Sequence, residues 1–250
     1  MIESIKDYIR TKPQLYDSFK AFKRQFVKQS DPTFDYLNTF SKSHNRKVNF
    51  VQIGANDGLR NDPIREFIIR DCWKGILIEP LPIAFNLLIN NYSYIHNPDL
   101  IFVNAAVSSI DQENLTFYSF KEKYLTKLSF EEKMDMLRKA SFIRKHVEAF
   151  IGDKDPDDVI QEIEVPCLKF NSLLKQYWGN KKVLDLLVID AEGYEPDIIK
   201  SIDYTDIRPS VIFFESHHLG VEKERLFHFL EKKGYSLKEI GGDTVATSLN

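Results

Sequence analysis

The stretch Val183–Glu195, VLDLLVIDAEGYE, joins a buried strand to a polar turn. Its first part, Val183–Ile189, is almost continuously apolar, which is typical of a strand in a parallel sheet that is covered on both faces. The turn DAEG (190–193) follows directly, and Glu195–Ile202 has the pattern of a helix. A buried strand that ends in charged residues and leads into a helix indicates an α/β fold with functional groups at its strand ends.

The same alternation of strand and helix continues outward from this segment in both directions. Apolar strand-like runs occur at Val48–Ile53, Gly75–Ile78, Ile101–Val107 and Val211–Phe214. Helical patterns separate these runs, and the chain closes on a predicted hairpin of Tyr235–Ile240 and Thr244–Leu249. We therefore expect an α/β fold with a mostly parallel sheet and helices on both faces.

Two segments interrupt the alternation. Residues 1–47 carry apolar side chains at helical spacing, so we expect a helical accessory segment that packs on the main domain, with a substrate lid or a dimer arm as alternatives. Residues 129–151 also repeat at helical intervals and predict one or two inserted helices. The predicted organisation is thus an accessory segment at 1–47 and one α/β domain at 48–250. The apolar positions of the first segment are Ile5, Tyr8, Ile9, Tyr16, Phe19, Phe22 and Phe26.

Composition excludes several classes of protein. A hydrophobic content of 43% and a charged content of 28% are ordinary for a globular domain, and a net charge of −3 favours neither nucleic acid nor an anionic membrane as a general partner. No run of 18 apolar residues predicts a membrane span, and the charged N-terminus does not resemble a signal peptide. Two cysteines do not suffice for a disulfide framework or a four-cysteine zinc site. We expect a cytoplasmic protein; homo-oligomerisation is left open.

Polar or glycine residues follow every predicted parallel strand, where ligands bind in such sheets. The loop GANDG (54–58) follows the first strand, and its two glycines permit a tight turn and a close approach to a ligand. Glu79 ends the second strand, roughly 20 residues further on, where an acid can accept hydrogen bonds from ribose hydroxyls. There is no Walker lysine motif, HExxH or GxSxG. The pattern predicts an adenosine-containing ligand without a pyrophosphate clamp.

Four segments together resemble the FkbM-type methyltransferases. They are VQIGANDG (51–58), ILIEPLP (76–82), FVNAAVS (102–108) and LLVIDAEGYEPDIIKSI (186–202), and they span residues 48–215 without the 129–151 insert. The IDAEGYE segment is the most specific, because it is similar to the family's D-x-EG-x-E segment in spacing and strand context. The resemblance implies a Rossmann-like class I methyltransferase fold with a seven-stranded sheet, and S-adenosylmethionine as cofactor.

The resemblance also implies roles for the residues of the cofactor site. Gly54, Asn56 and Gly58 would face the methionine part of S-adenosylmethionine, Glu79 its ribose, and Asn104 or Ala105 the surroundings of adenine. Two positions depart from the family pattern. Gln52 stands where an acid is usual, so that Asp57 or water would contact the cofactor's amino group. Asn171 stands where an aspartate is expected, which puts the role of that position in doubt.

The candidate catalytic residues are Asp190, Glu192, Glu215 and His217. Methyl transfer to an alcohol needs an aligned oxygen and removal of a proton, and Asp190 ends the strand nearest the expected acceptor. The structural alternative for Glu192 and Glu195 is capping of the following helix. For His217 and His218 it is an exposed polar loop.

A divalent metal held by Asp190, Glu215 and His217 is an alternative that the spacing does not favour. Basic residues of the insert are expected on a solvated helix face, or otherwise against a phosphorylated or sugar-nucleotide substrate. These are Lys133, Arg138, Lys139, Arg144, Lys145 and His146.

The functional hypothesis is O-methylation of a hydroxyl on a carbohydrate or other secondary metabolite. The acceptor is thus expected to be a small molecule or a glycan. N-methylation, which needs no strong base when the amine is neutral, is an alternative. A binding module that keeps the adenosyl pocket without catalysis is another, suggested by Gln52.

Overall fold

The computed structural model describes residues 9, 11–26, 31–179 and 183–249. Two helices precede the first strand: α1 (Pro13–Phe26) and α2 (Pro32–Ser43). Asp31 caps α2 by accepting a hydrogen bond from the amide of Phe34 (3.0 Å), and Leu37 and Phe40 of α2 are buried against the main sheet. Ile5 and Tyr8 lie outside the described residues. The predicted domain division at residue 48 stays a prediction.

The main sheet has seven strands in the order β3-β2-β1-β7-β8-β10-β9. β10 runs opposite to the other six strands of this sheet. The predicted mostly parallel seven-stranded sheet is therefore confirmed, and so is the closing hairpin. The strands are β1 (Asn49–Ile53), β2 (Lys74–Ile78), β3 (Leu100–Val103), β7 (Leu186–Ile189), β8 (Val211–Glu215), β9 (Tyr235–Ile240) and β10 (Asp243–Ser248).

Alternation of side chains along the central strands creates two hydrophobic cores, one on each face. In β1, Val51 and Ile53 pack with one set of helices, whereas Phe50 packs with the other. The helices of the main domain are α3 (Arg65–Asp71), α4 (Pro82–Tyr92), α9 (Phe170–Tyr177), α10 (Glu195–Ser201) and α11 (Val221–Lys232). The strand order reverses between β1 and β7, and this switch point is where such sheets bind ligands.

The predicted third strand, Ile101–Val107, is in fact two strands in different sheets. β3 ends at Val103, and β4 (Ala106–Ser108) belongs to a second sheet of order β4-β6-β5. The break is at Asn104, whose side-chain amide donates to the carbonyls of Glu79 (2.8 Å) and Pro80 (3.0 Å). These contacts hold Asn104 beside the end of β2, and from Ala106 the chain continues in the second sheet. The other members of the second sheet are β5 (Gln112–Phe120) and β6 (Ile160–Lys169).

Short helices cover the second sheet and form a third hydrophobic core with it. Met134, Leu137 and Val147 of the insert are buried there. A capping box between Ser129 and Glu132 starts the longest of these helices. The helices are α5 (Glu122–Leu125), α6 (Phe130–Arg138), α7 (Arg144–Glu148) and α8 (Pro156–Val159). Within the described part of the chain, no helix has the length and apolar character needed to cross a membrane.

Candidate active site

Two cavities adjoin at the carboxyl ends of β1 and β7. The larger has a volume of about 560 Å³ and extends toward α1 and α2. The smaller, of about 60 Å³, extends toward β2 and the second sheet. The residues that line both are Gly54, Asn56, Arg138, Asp190 and Glu192. The candidate residues of the glycine loop and of the DAEG turn therefore meet at the boundary between the two cavities.

Gly54 allows the loop after β1 to touch the end of β7. Its φ is +78°, and a Cβ at this position would lie 1.7 Å from the carbonyl oxygen of Asp190. The amides of Gly54 and Ala55 both donate to the carbonyl of Ile78 (3.0 and 2.9 Å), which ties the loop to β2 as well. The structure thus requires glycine at position 54 to hold three strand ends together.

Asp57 and Gly58 point away from both cavities. The Asp57 carboxylate accepts hydrogen bonds from the amides of Leu59 and Arg60 (both 3.0 Å) and from the Arg60 guanidinium. A Cβ on Gly58 would lie 2.3 Å from Leu88 Cδ1, so this glycine permits close packing on α4. Their geometry indicates that both residues shape the loop, and cofactor contact by Asp57 or Gly58 stays a prediction.

Glu79 lies in the wall of the small cavity and is 6% exposed. Its two carboxylate oxygens accept hydrogen bonds from the amides of Asn56 and Leu81, both at 2.9 Å. Burial raises the pKa of Glu79 to about 7, although these two hydrogen bonds oppose the rise. Each oxygen keeps a second lone pair for a ligand hydroxyl.

Asn104 and Ala105 are placed beside Glu79 by the break between the two sheets. The side-chain amide of Asn104 donates to the two carbonyls at the end of β2. Ala105, by contrast, is buried and lines the small cavity. Phe117 of β5 and Phe142 of the insert line the same cavity, and their rings meet edge to face 5.1 Å apart. The small cavity therefore combines a carboxylate with apolar and aromatic walls.

Acidic side chains form one side of the large cavity. Asp190 is exposed to the cavity but enclosed by protein on its other sides. That enclosure, together with the charges of Glu215, Glu192 and Glu195, raises the pKa of Asp190 well above its usual range. Burial and the charge of Glu215 likewise raise the pKa of Asp243 to about 6.

Gln52 and Asp62 line the large cavity, and each has a buried oxygen atom without a hydrogen-bond partner among the described residues. Gln52 is 3% exposed, and its Oε1 accepts no hydrogen bond from any described residue. Asp62 Oδ1 accepts hydrogen bonds from the amides of Ile64 and Arg65 at the start of α3. Asp62 Oδ2 has no hydrogen-bond partner among the described residues. Unsatisfied buried oxygens are costly, so these two atoms fit a ligand that brings hydrogen-bond donors. In the sequence, Gln52 stands out only as the replacement of an acid, and nothing in the motif indicates that its oxygen is unpaired.

Glu192 is held in place by the insert. Lys139 Nζ lies 3.0 Å from its Oε1, His146 Nε2 lies 2.8 Å from its Oε2, and Ser141 Oγ donates to its carbonyl (3.0 Å). Burial opposes ionisation, but the contacts with His146 and Lys139 prevail and lower the pKa of Glu192. Its φ of +47° is rare for a residue with a side chain. The expected helix-capping role of Glu192 is not seen.

Glu195, by contrast, braces the DAEG turn. It is fully buried, and its carboxylate accepts hydrogen bonds from the amides of Ala191 (2.7 Å) and Gly193 (3.1 Å). His218 Nε2 lies 3.4 Å from the same carboxylate, and His218 Nδ1 lies 3.3 Å from Glu215. This contact with Glu195 raises the pKa of His218, whose ring lies between two acids.

The predicted metal ligands do not form a single group. Glu215 lies near His217 and His218 in one group and near Asp190 and Glu195 in another. Among the described residues, no such group contains Asp190 and His217 together. His217 Nδ1 is 3.2 Å from Glu215, and the His217 side chain is 61% exposed. The Glu215 carboxylate therefore already contacts the imidazole rings of both histidines, at 3.2 and 3.3 Å.

Two remaining predictions concern residues outside the strand ends. Asn171 lies away from both cavities and joins α9 to the loop after α10, because its Oδ1 accepts from the amide of Asp203 (2.9 Å). Among the insert cations, Arg144 pairs with Glu148 (2.9 Å) and Asp157 (2.8 Å), as expected for a solvated face. Arg138 and Lys139 differ, because both line the large cavity.

The sequence matches the family model described as methyltransferase FkbM domain over residues 52–237. It has no significant match among the curated proteins with which it was compared.

The chain also matches solved structures, among them three methyltransferases. Methyltransferase FkbM from Methylobacillus flagellatus KT is 11% identical, with a TM-score of 0.48, and the match covers 80% of this chain and 43% of that one. Precorrin-6y C5,15-methyltransferase from Geobacter metallireducens GS-15 is 12% identical, with a TM-score of 0.43 and coverages of 84% and 83%. An O-methyltransferase from Bacillus cereus in complex with SAH is 10% identical, with a TM-score of 0.42 and coverages of 94% and 100%.

Proposed function

The chain belongs to the FkbM methyltransferase family, and on that premise we propose that it uses S-adenosylmethionine to methylate a hydroxyl oxygen of a carbohydrate or other secondary metabolite. The observation that carries the proposal is the position of Asp190, which lines both cavities where they adjoin. A carboxylate at that boundary can contact an acceptor in the large cavity close to a cofactor whose adenosine part lies in the small one.

The small cavity is the proposed site of the adenosine part. Glu79 would accept hydrogen bonds from the ribose hydroxyls, and Ala105 would line the adenine side. The methionine part would lie along Gly54 and Asn56, with its ammonium group donating to Gln52 Oε1. That assignment explains why a buried side-chain oxygen has no partner among the described residues. The cofactor supplies a methyl group on a sulfonium, which is a good leaving group.

Asp190 is the proposed general base. In a methyl transfer to an alcohol, the protein must hold the oxygen in line and take up its proton. Enclosure and neighbouring acids raise the pKa of Asp190, which makes its carboxylate a stronger base than an ordinary aspartate. Asp190 would therefore bind the acceptor hydroxyl and accept its proton.

The other three candidate catalytic residues are not proposed to take part in the proton transfer directly. Glu192 is committed to Lys139 and His146, so it would hold the insert against the DAEG turn. Glu215 would strengthen the basicity of Asp190 through its charge, while His217 stays exposed at the edge of the cluster. No metal ion enters this mechanism.

The test combines a substitution at Asp190 with separate measurements of binding and turnover. Asp190→Asn keeps the shape of the side chain and removes its basicity. We expect turnover to S-adenosylhomocysteine to fall by a factor on the order of 10²–10⁴, with little change in calorimetric S-adenosylmethionine affinity. Asp153→Asn, in an exposed loop, is the matched control and should retain full activity.

Other outcomes would redirect the proposal. Equal loss of binding and turnover would place Asp190 in the cofactor pocket. Wild-type binding without turnover across a broad panel of hydroxyl and amine acceptors would favour a binding module, and methylation of amines alone would favour N-methylation. Activity should survive treatment with a chelator. Loss that Mg²⁺ or Mn²⁺ reverses would assign the acidic cluster to a metal.

A further inference from the structure

Helix α1 carries an apolar stripe that faces away from the rest of the molecule. The four side chains are spaced by four, three and four residues, so that they share one face of the helix. They are 48–70% exposed, and the rings of Phe22 and Phe26 are in contact, tilted by 39° with their centroids 4.5 Å apart. The α1 stripe consists of Leu15, Phe19, Phe22 and Phe26.

Polar contacts on the opposite face hold α1 against the domain. The Asp17 carboxylate pairs with the buried guanidinium of Arg65 at 2.9–3.2 Å. Arg24 pairs with Glu66 (3.1 Å), and its guanidinium lies 3.5 Å from the centre of the Phe34 ring. A surface helix of a globular protein usually does the reverse and buries its apolar stripe. These contacts fix the helix with its aromatic face outward.

Positive charge accompanies the stripe. Asp17 is the only acidic residue of α1, and its contact with Arg65 takes it to the inner face. Lys12 and Lys23 are exposed, and Lys23 lies one helical turn beyond Phe19, on the side of the stripe. A helix with phenylalanines on one face and lysines beside them is typical of segments that lie in the headgroup layer of an anionic membrane.

We infer that the α1 stripe docks the protein on an anionic lipid surface. Two copies paired through this face would bring the lysines of both together, whereas anionic headgroups complement them. Lys20 and Arg24 of the same helix line the large cavity, so docking would hold that cavity within about one helix diameter, ~10 Å, of the surface. The docking itself does not depend on the proposed methyl transfer.

The test uses the full chain and vesicles of phosphatidylcholine with or without phosphatidylglycerol. We expect cosedimentation with the anionic vesicles that weakens as salt is added. The double substitution Phe22→Ser/Phe26→Ser should lower the ratio of bound to free protein by a factor on the order of ten or more. Lys12→Gln/Lys23→Gln should reduce binding to anionic vesicles alone. Ile89→Ser and Val221→Ser remove apolar side chains that are exposed elsewhere and should change nothing.

A fluorescent variant reports whether the stripe itself enters the lipid. Trp73 and Trp178 are both buried, so in Phe22→Trp the new indole dominates any change caused by vesicles. We expect its emission to shift to shorter wavelength and to be quenched by brominated lipid. The inference is overturned if the wild-type chain binds neither type of vesicle. So does a concentration-dependent dimer, seen by ultracentrifugation, that Phe22→Ser/Phe26→Ser abolishes.

Discussion

Glu79 is a carboxylic acid enclosed by protein, with a pKa raised to about 7 from an ordinary value of 4.5. The folded chain therefore binds this proton more tightly than the unfolded chain does. The resulting contribution to stability is complete below about pH 4.5 and is lost as the pH rises through about 7. A ligand whose hydroxyl groups need the ionised form must then bind more weakly as the pH falls.

The prediction for Glu79 concerns the affinity for S-adenosylhomocysteine. Below about pH 7 we expect affinity to fall by up to about tenfold per pH unit, because the proton competes with the ribose hydroxyls. Glu79→Gln should bind more weakly at high pH, by about 1.5–3 kcal/mol, and should show a flatter profile. Calorimetry across this range measures both. Parallel profiles for the two proteins would remove Glu79 from the ribose site.

Gly54 gives a second prediction for a single residue, with a matched control in the same chain. Gly54→Ala places a Cβ 1.7 Å from the Asp190 carbonyl at a φ of +78°, whereas at Gly152, with a φ of +60°, a Cβ meets nothing within 4 Å. Gly152→Ala should cost about 1–2 kcal/mol, the price of a left-handed backbone alone.

Gly54→Ala should cost at least about 2 kcal/mol more than Gly152→Ala, because the loop must move away from β7. Denaturant unfolding of both variants measures the difference. Equal costs would contradict the tight junction between the β1 loop and the DAEG turn.

Single residues also show where sequence reasoning reaches its limit. Glu79 and Asp190 could be predicted as site residues, because strand periodicity locates them at the carboxyl ends of strands. The orientations of Gln52 and Asp57 could not be predicted: Gln52 faces the large cavity, while the Asp57 carboxylate accepts hydrogen bonds from the amides of Leu59 and Arg60. Which way a polar side chain turns within a loop depends on local hydrogen bonds that a motif does not encode.

The insert illustrates the same limit at the scale of elements. Its helices could be predicted from apolar spacing, but its contact with the DAEG turn joins residues about fifty positions apart in the chain. Lys139 and His146 contact the Glu192 carboxylate, and Ser141 donates a hydrogen bond to the backbone carbonyl of Glu192. The break of the third predicted strand likewise coincides with a contact that the pattern does not reveal, that of the Asn104 side chain with the carbonyls of Glu79 and Pro80.

We expect Glu192→Gln to loosen the insert. The substitution removes two charge-assisted contacts and should lower the free energy of unfolding by about 1–3 kcal/mol at neutral pH. The folded state lowers the pKa of Glu192. The contribution of ionised Glu192 to the free energy of unfolding is therefore present above about pH 4.5, the ordinary pKa, and is lost as the pH falls through the lower pKa of the folded state.

The difference in stability between wild type and Glu192→Gln should therefore shrink in acid. Urea unfolding at neutral pH and at about pH 4 measures it. Glu148→Gln is the matched control, since it breaks a half-exposed pair with Arg144 on the same insert. That change should cost less than about 1 kcal/mol. A difference that is independent of pH would show that the ion pairs do not hold Glu192.

For the whole molecule, the strand order brings distant loops to one edge of the sheet. The loops after β1 and β7 adjoin although about 135 residues separate them, because these strands are neighbours at the switch point. The N-terminal helices and the insert then wall the large cavity from two sides, through Lys20 and Arg24 on one and Arg138 and Lys139 on the other. Periodicity predicts the sheet but not these walls.

Ligand binding at that edge should stabilise the entire fold. At a concentration of S-adenosylhomocysteine about 100 times its dissociation constant, linkage adds about 2.7 kcal/mol, which raises the melting temperature of a domain of this size by about 5–10 °C. Scanning calorimetry or fluorimetry with and without the ligand measures the rise, which a chelator should leave unchanged.

Gln52→Leu tests whether the unpaired Oε1 of Gln52 contributes to ligand binding. Without ligand, Gln52 is 3% exposed with no partner for Oε1 among the described residues, so leucine should leave the melting temperature unchanged or raise it. With ligand, loss of a hydrogen bond to a charged ammonium should weaken binding about tenfold or more. The ligand-induced increase in melting temperature should then fall by about half or more at the same ligand concentration. Only a ligand contact predicts these opposite effects, since a purely structural glutamine would lower the melting temperature of the free protein and leave the ligand-induced rise intact.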